Sequence, residues 1–202
     1  MLLEFKLNRA IDLKKVLTPL TSLAQTASII NSTDAVTLLA TILNGDAIAV
    51  LRISSTEFVH FFCHEGYVAV FDIVMLYRYL HFFSNDNLPV TVGIVRVEDD
   101  GGKLTATMPN IGQYNVALFL KSHVTFNITG VYNSVLRDLY ECDIVGDTGN
   151  DPILLHFRVD HLVSIGKAIS LSQMVWIYGS YSALPMMHFR VPPIGELSYY
   201  FV

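Results

Sequence analysis

The sequence predicts an α+β protein, built from antiparallel sheets with a few helices packed against them. Three observations predict it. Apolar or alternating runs of roughly four to eight residues recur along the chain, bounded by turn formers such as Asn44-Gly45-Asp46. Only a few segments carry helical spacing. The order strand, helix, strands, helix, strands occurs twice, the second time in shorter form, which marks an internal repeat of architecture.

Taken in order, residues 2–7 alternate apolar side chains with Glu4 and Lys6, the pattern of a strand. Residues 11–24 place Leu13, Val16, Leu17, Leu20 and Leu23 on one helical face. Asp12 sits in that helix's first turn, where the dipole favours an acid. Pro19 should kink or shorten the helix, because it lacks the N–H the ladder needs. Residues 28–30, 35–43 and 47–53 read as strands, the last two joined by Asn44-Gly45-Asp46. Residues 58–63 and 67–71 flank His64-Glu65-Gly66 as another hairpin. Residues 73–83 form a second helix, ended by Ser84-Asn85-Asp86-Asn87. Residues 88–97 and 103–108 pair over Glu98-Asp99-Asp100-Gly101-Gly102, and 114–120 is a further strand.

The second round predicts a strand at 124–129, a helix at 131–140 and a turn-rich break at 146–152. A strand at 153–157, an amphipathic run at 159–168 and three closing strands in a meander follow. The last two strands are separated by Pro192-Pro193-Ile194-Gly195. This reading divides the chain into residues 1–121 and a shortened second unit, 122–202.

Composition narrows the function classes. The 202 residues are 52% hydrophobic and 15% charged, with a mean hydropathy of +0.45. No run reaches the ~20 apolar residues of a spanning helix, so the excess hydrophobicity is assigned to deep cores or sticky surfaces and not to a membrane. The start, MLLEFKLNRA, has Glu4 and Lys6 inside its apolar stretch and does not read as a signal peptide. Cys63 and Cys142 lack CxxC spacing and read as free thiols in a reducing compartment. A net charge of −5 argues against a compact groove-reading DNA domain but permits one local basic face. The seven histidines form no HExxH or Cys/His cluster. Asp99-Asp100-Gly101-Gly102 is a turn and not a phosphate loop, and no nucleophile–base signature stands out. The expectation is therefore no metal, no cofactor and no enzymatic activity.

A more specific signal lies in the order of residues toward the end: Phe157, Leu162, Ile165, Lys167-Ala168, Leu171-Ser172, Leu184-Pro185 and Gly195-Glu196-Leu197-Ser198-Tyr199-Tyr200-Phe201. Collinear with it are Leu13-Lys14-Lys15-Val16-Leu17, Phe58-x-His60-x-x-Cys63, Ser84-Asn85-Asp86, Val90-Thr91-Val92, Asp99-Asp100-Gly101 and Pro109-Asn110. In this order and spacing the chain resembles the eukaryotic and archaeal DNA sliding clamps of the proliferating cell nuclear antigen family.

The resemblance implies a DNA-clamp (processivity) fold, in which two βαβ-type repeats present inner helices and the second repeat is truncated. It implies a polymerase processivity factor in DNA replication or repair, working in the nucleus. Such a protein holds duplex DNA without sequence preference, because its contacts go to phosphates. The positions matching the family's basic inner-helix set are Lys14, Lys15, Arg78, His81, Arg137 and Lys167. Thr21, Ser134 and Asp160 stand where the family is often basic, which dilutes the charge. The family's outer pocket for short peptides of polymerases and other replication proteins is matched by Ile42, Pro185 and Tyr200.

The chain departs from the family in two places. Leu120-Lys121-Ser122-His123 replaces the long inter-domain connector, and only residues 141–151 stand where the family has a block of strands. Without that block, Asn115, Val116, Ala117, Leu118, Phe119 and Leu120 are expected to keep an open edge. That edge invites self-association or pairing with an intact clamp subunit. The alternative implied is a degenerate clamp paralogue, an interaction module that does not encircle DNA.

Overall fold

The computed structural model describes residues 3–42, 45–64, 68–82, 87–94, 114–119, 123–128, 134–138, 145, 153–180 and 182–202. The elements run β1 (Leu3–Leu7), α1 (Ala10–Thr21), β2 (Thr26–Asn31), β3 (Ala35–Thr41), β4 (Ala47–Ser54), β5 (His60–Cys63), β6 (Val68–Asp72), α2 (Ile73–Phe82) and β7 (Val90–Ile94). They continue as β8 (Tyr114–Phe119), β9 (His123–Ile128), β10 (Ser134–Asp138), β11 (Ile153–Arg158), α3 (Val159–Ile169), β12 (Trp176–Ser180), β13 (Ala183–Val191) and β14 (Gly195–Phe201). The protein is thus α+β, with antiparallel sheets and few helices.

The strands form three sheets: seven strands in the order β12-β13-β14-β4-β3-β2-β6, three as β5-β1-β7, and four as β10-β9-β8-β11. In the largest sheet, side chains alternate in the way a half-buried sheet requires. Ala47, Ala49, Leu51 and Ile53 of β4 are buried, while Ile48, Val50 and Arg52 point the other way. The same alternation buries Leu197, Tyr199 and Phe201 of β14.

The seam between β14 and β4 joins residues 195–201 to residues 47–53, in the first half of the chain. Leu197 pairs with Leu51, Tyr199 with Ala49 and Phe201 with Ala47. Aromatic rings on one strand thus meet alanines on the other, so neither side overfills the core. The seven-stranded sheet draws its strands from both sides of residue 121.

On the buried side lies α1, whose Leu13, Val16, Leu17 and Leu20 are at most 1% exposed. Each fully buried leucine contributes about 2 kcal/mol. Arg9 donates two bonds to the Asp12 carboxylate, at 2.9 and 2.7 Å, and so fastens the entry to the helix. Pro19 lies inside α1, which ends at Thr21, short of the expected residue 24. Near this end hydroxyls serve the backbone carbonyls: Ser22 donates to Pro19 and Thr21 to Thr18. α1 packs between α2 and α3. Among the described residues, no helix is long and apolar enough to cross a membrane.

Two expectations are corrected. Residues 134–138 are not helical: they form β10, with Val135 opposite Phe126 and Arg137 opposite Val124. The neighbouring β9, His-Val-Thr-Phe-Asn-Ile, is rich in β-branched and aromatic side chains, and the ladder it offers outweighs the weak helical preference of Ser-Val-Leu-Arg-Asp. The edge expected at 115–120 is also occupied. β8 lies inside its sheet, paired with β9 on one side and β11 on the other, so Asn115, Val116, Ala117, Leu118 and Phe119 are not an open edge. Leu120 lies outside the described residues, as do the turn at 98–102 and the strand expected at 103–108.

Two substitutions test the seam. A Cβ on Gly195 would sit 2.1 Å from the carbonyl oxygen of Arg52, so Gly195→Ala should cost about 3 kcal/mol in urea unfolding, because backbone and not a flexible side chain must move. Tyr199 is fully buried, and its hydroxyl has no hydrogen-bond partner among the described residues. Burial pushes this phenol well above its ordinary pKa of 10.0, so the folded state keeps a proton that the unfolded state releases. Stability should fall by up to ~1.4 kcal/mol per pH unit as pH rises past the unfolded value. Tyr199→Phe should remove that slope and be neutral, or stabilising by about 1 kcal/mol, at neutral pH.

Candidate nucleic-acid interface

The three helices place their outward residues on a common layer, α1 in the middle. Lys15 on α1, Arg78 and His81 on α2, and Lys167 on α3 are exposed. The helices hold each other through specific contacts: Thr18 Oγ1 donates to the Lys14 carbonyl at 2.8 Å and lies 3.4 Å from the Tyr77 hydroxyl. The Tyr77 ring in turn meets the His81 ring edge-on at 4.4 Å. His81 is thus steered by an aromatic neighbour on its own helix.

The other two expected bases are placed differently. Lys14 is only 6% exposed. Adjacent helix residues point about 100° apart, so of the Lys14-Lys15 pair only Lys15 can reach a phosphate. Arg137 stands on β10 and not on a helix. The helix layer is also less polar than a phosphate-tracking surface of lysine and arginine alone. Tyr79 is 60% exposed, Val163 71% and Ile169 62%.

Of the expected peptide pocket, Pro185 and Tyr200 stand on neighbouring strands but on opposite faces: Tyr200 pairs with Met186, and Pro185, one residue away, alternates with the buried Met187 and Phe189. Ile42 is corrected: it is 5% exposed and part of the core. Its N–H donates to the Ala47 carbonyl. It continues the buried row Val36, Leu38, Ala40, whereas Tyr200 belongs to the opposite face of the sheet.

That opposite face carries residues the sequence reading did not single out. Register aligns Tyr178, Met186, Tyr200, Ile48 and Thr41 in one row. A second row holds Trp176, His188, Ser198, Val50 and Leu39. His188 Nδ1 lies 2.9 Å from Ser198 Oγ, and the Arg190 guanidinium stacks 5.0 Å over the Trp176 ring. Arg52 pairs with Asp34 at 2.7 Å. The Asp34 carboxyl is held below its ordinary range, first by the Ser32 hydroxyl, then by its own backbone and by Arg52. Period-two alternation within each strand marks these faces, but aligning the rows needs the β14–β4 register.

A shallow cleft of about 430 Å³ opens where the end of α1 meets the start of α2, with Gln25, Asp72, Met75 and Arg78 among its walls. Asp72 is occupied in capping α2, its carboxylate accepting the Met75 N–H at 2.8 Å. Among the described residues, no group of three His, Cys, Asp or Glu side chains is placed to hold a metal.

Comparison with known protein families and with characterised proteins finds no match.

The two neighbouring lysines should separate cleanly in a mutant pair. Lys14→Glu puts an acid into a site shaped around a buried cation and should cost about 3 kcal/mol in a urea melt. Lys15→Glu should stay within about 0.5 kcal/mol.

Proposed function

We propose that this chain is a sliding-clamp-like protein that rests its helix layer on duplex DNA without sequence preference. In this reading it serves a polymerase as a processivity factor in DNA replication or repair in the nucleus. The single observation that carries the reading is the placement of α1, α2 and α3 side by side, each with one exposed cation: Lys15, Arg78 and Lys167. The collinear motif order described above supports it. So does the β14–β4 seam, which links the end of the chain to the first half of the fold. Phosphate contact by cations spread over three helices is sequence-blind and lets a duplex slide. Tyr200 marks the outer face where a polymerase or another replication protein would dock.

A second reading has its own observation. Each helix offers one exposed cation beside large apolar side chains, among them Tyr79, Val163 and Ile169, and the chain carries a net charge of −5. These features favour a clamp-derived interaction module that does not encircle DNA.

Salt titration of duplex binding separates the two. Three phosphate contacts per chain predict a slope of log K against log salt near −2.7, about 0.9 per contact. The triple change Lys15→Glu, Arg78→Glu and Lys167→Glu should abolish binding with the melting curve unchanged. Binding that survives the triple change counts for the interaction module.

A further inference from the structure

The seven-stranded sheet has two outer strands, β6 and β12, and they are not equally protected. β12 changes register between Tyr178 and Ser180, an irregularity of the kind that spoils edge pairing. Gly179 also leaves room on that strand for Leu155 of β11, whose side chain fills the space a Cβ would need. β6, Val68-Ala69-Val70-Phe71-Asp72, has no such device. Among the described residues its only strand neighbour is β2, in regular register from Thr26 to Ile30. It holds no lysine, proline or bulge, and its single charge, Asp72, caps α2. Val68 is 55% exposed and Val70 70%. An apolar edge strand whose outer side has no strand partner among the described residues is a template for another strand.

We propose that β6 pairs antiparallel with β6 of a second copy, making a two-fold dimer with one sheet continuous through both. The strand itself argues for a second copy as the occupant. Centred on Ala69, the pairing sets Val68 against Val70 of the partner subunit and Ala69 against its own counterpart. Facing β-branched pairs stabilise an antiparallel ladder, and the small residue falls at the axis. The two Asp72 carboxylates lie at opposite ends of the paired segment, so like charges do not meet. Shifting the centre to Val70 would oppose Val68 with Asp72, which the ladder disfavours. An isologous contact of this kind closes on itself and stops at two chains. The proposal stands whether or not the helix layer binds DNA.

Light scattering behind size exclusion, run on the full chain over a range of loading concentrations, tests it. The expected mass at high loading is twice the 22.6 kDa of the chain, with Val70→Lys running as a monomer at every loading and showing an unchanged circular dichroism spectrum. A chain that stays monomeric, a closed trimer, or a dimer indifferent to Val70→Lys overturns it. The register has its own readout. With Cys63 and Cys142 replaced by serine, Ala69→Cys should crosslink to a dimer under mild oxidation, because directly opposed strand residues fall within disulfide reach. Val70→Cys should not crosslink, and equal crosslinking of both variants overturns the Ala69-centred pairing.

Discussion

The pairing of β14 with β4 is the constraint on which the rest of this structure depends. It brings residues 195–201 against residues 47–53, contacts separated by most of the chain. Closing such a loop costs chain entropy, and little local structure repays it in advance. The return comes from the buried row that the pairing completes, in which Tyr199, Leu197 and Leu51 are wholly removed from solvent. That row belongs to the same buried cluster as Leu13, Leu17 and Leu20 of α1. The close approach of Gly195 to the Arg52 carbonyl shows how little tolerance the seam has.

Because the seam puts one sheet face under the helices, it also decides what the surfaces can do. The helix layer carries isolated cations among exposed apolar side chains. The opposite sheet face carries rings, a methionine and aliphatic side chains in aligned rows, with arginines held by Trp176 and Asp34. In the proposed reading the first surface makes weak, salt-sensitive contact with a polyanion, and the second is left for packing. Net acidity does not conflict with the first, since phosphate contact depends on local charge and not on the chain total.

Much of the fold was legible along the chain. The leucine spacing of α1, the alternation in β3, β4 and β14 and the amphipathic run of α3 each declare their type, because burial on one side imposes a period of 3.6 or 2. Residues 134–138 were not legible. Ser-Val-Leu-Arg-Asp satisfies either period weakly, and the partner strand β9, a non-local fact, decides it. The site was legible to a smaller extent. Lys15, Arg78 and Lys167 were readable as cations on helices, but a one-residue step separates an exposed lysine from a buried one, and helical periodicity leaves that phase to be set by the neighbours. Ile42 shows the same limit on a strand, where one position decides core against surface.

By itself, then, the sequence determined the kinds of element, their order and most of their inward faces. These follow from the local periodicity of apolar side chains and from turn formers such as Asn44-Gly45. Only the tertiary structure decided which edges meet. It closed β8 on both sides, gave β6 a single strand neighbour among the described residues, joined β14 to β4 and turned Lys14 inward while leaving Lys15 in solvent. The physical reason is that hydrogen-bonded ladders and side-chain burial are completed by residues far away in the chain, and no local pattern records which distant partner arrives.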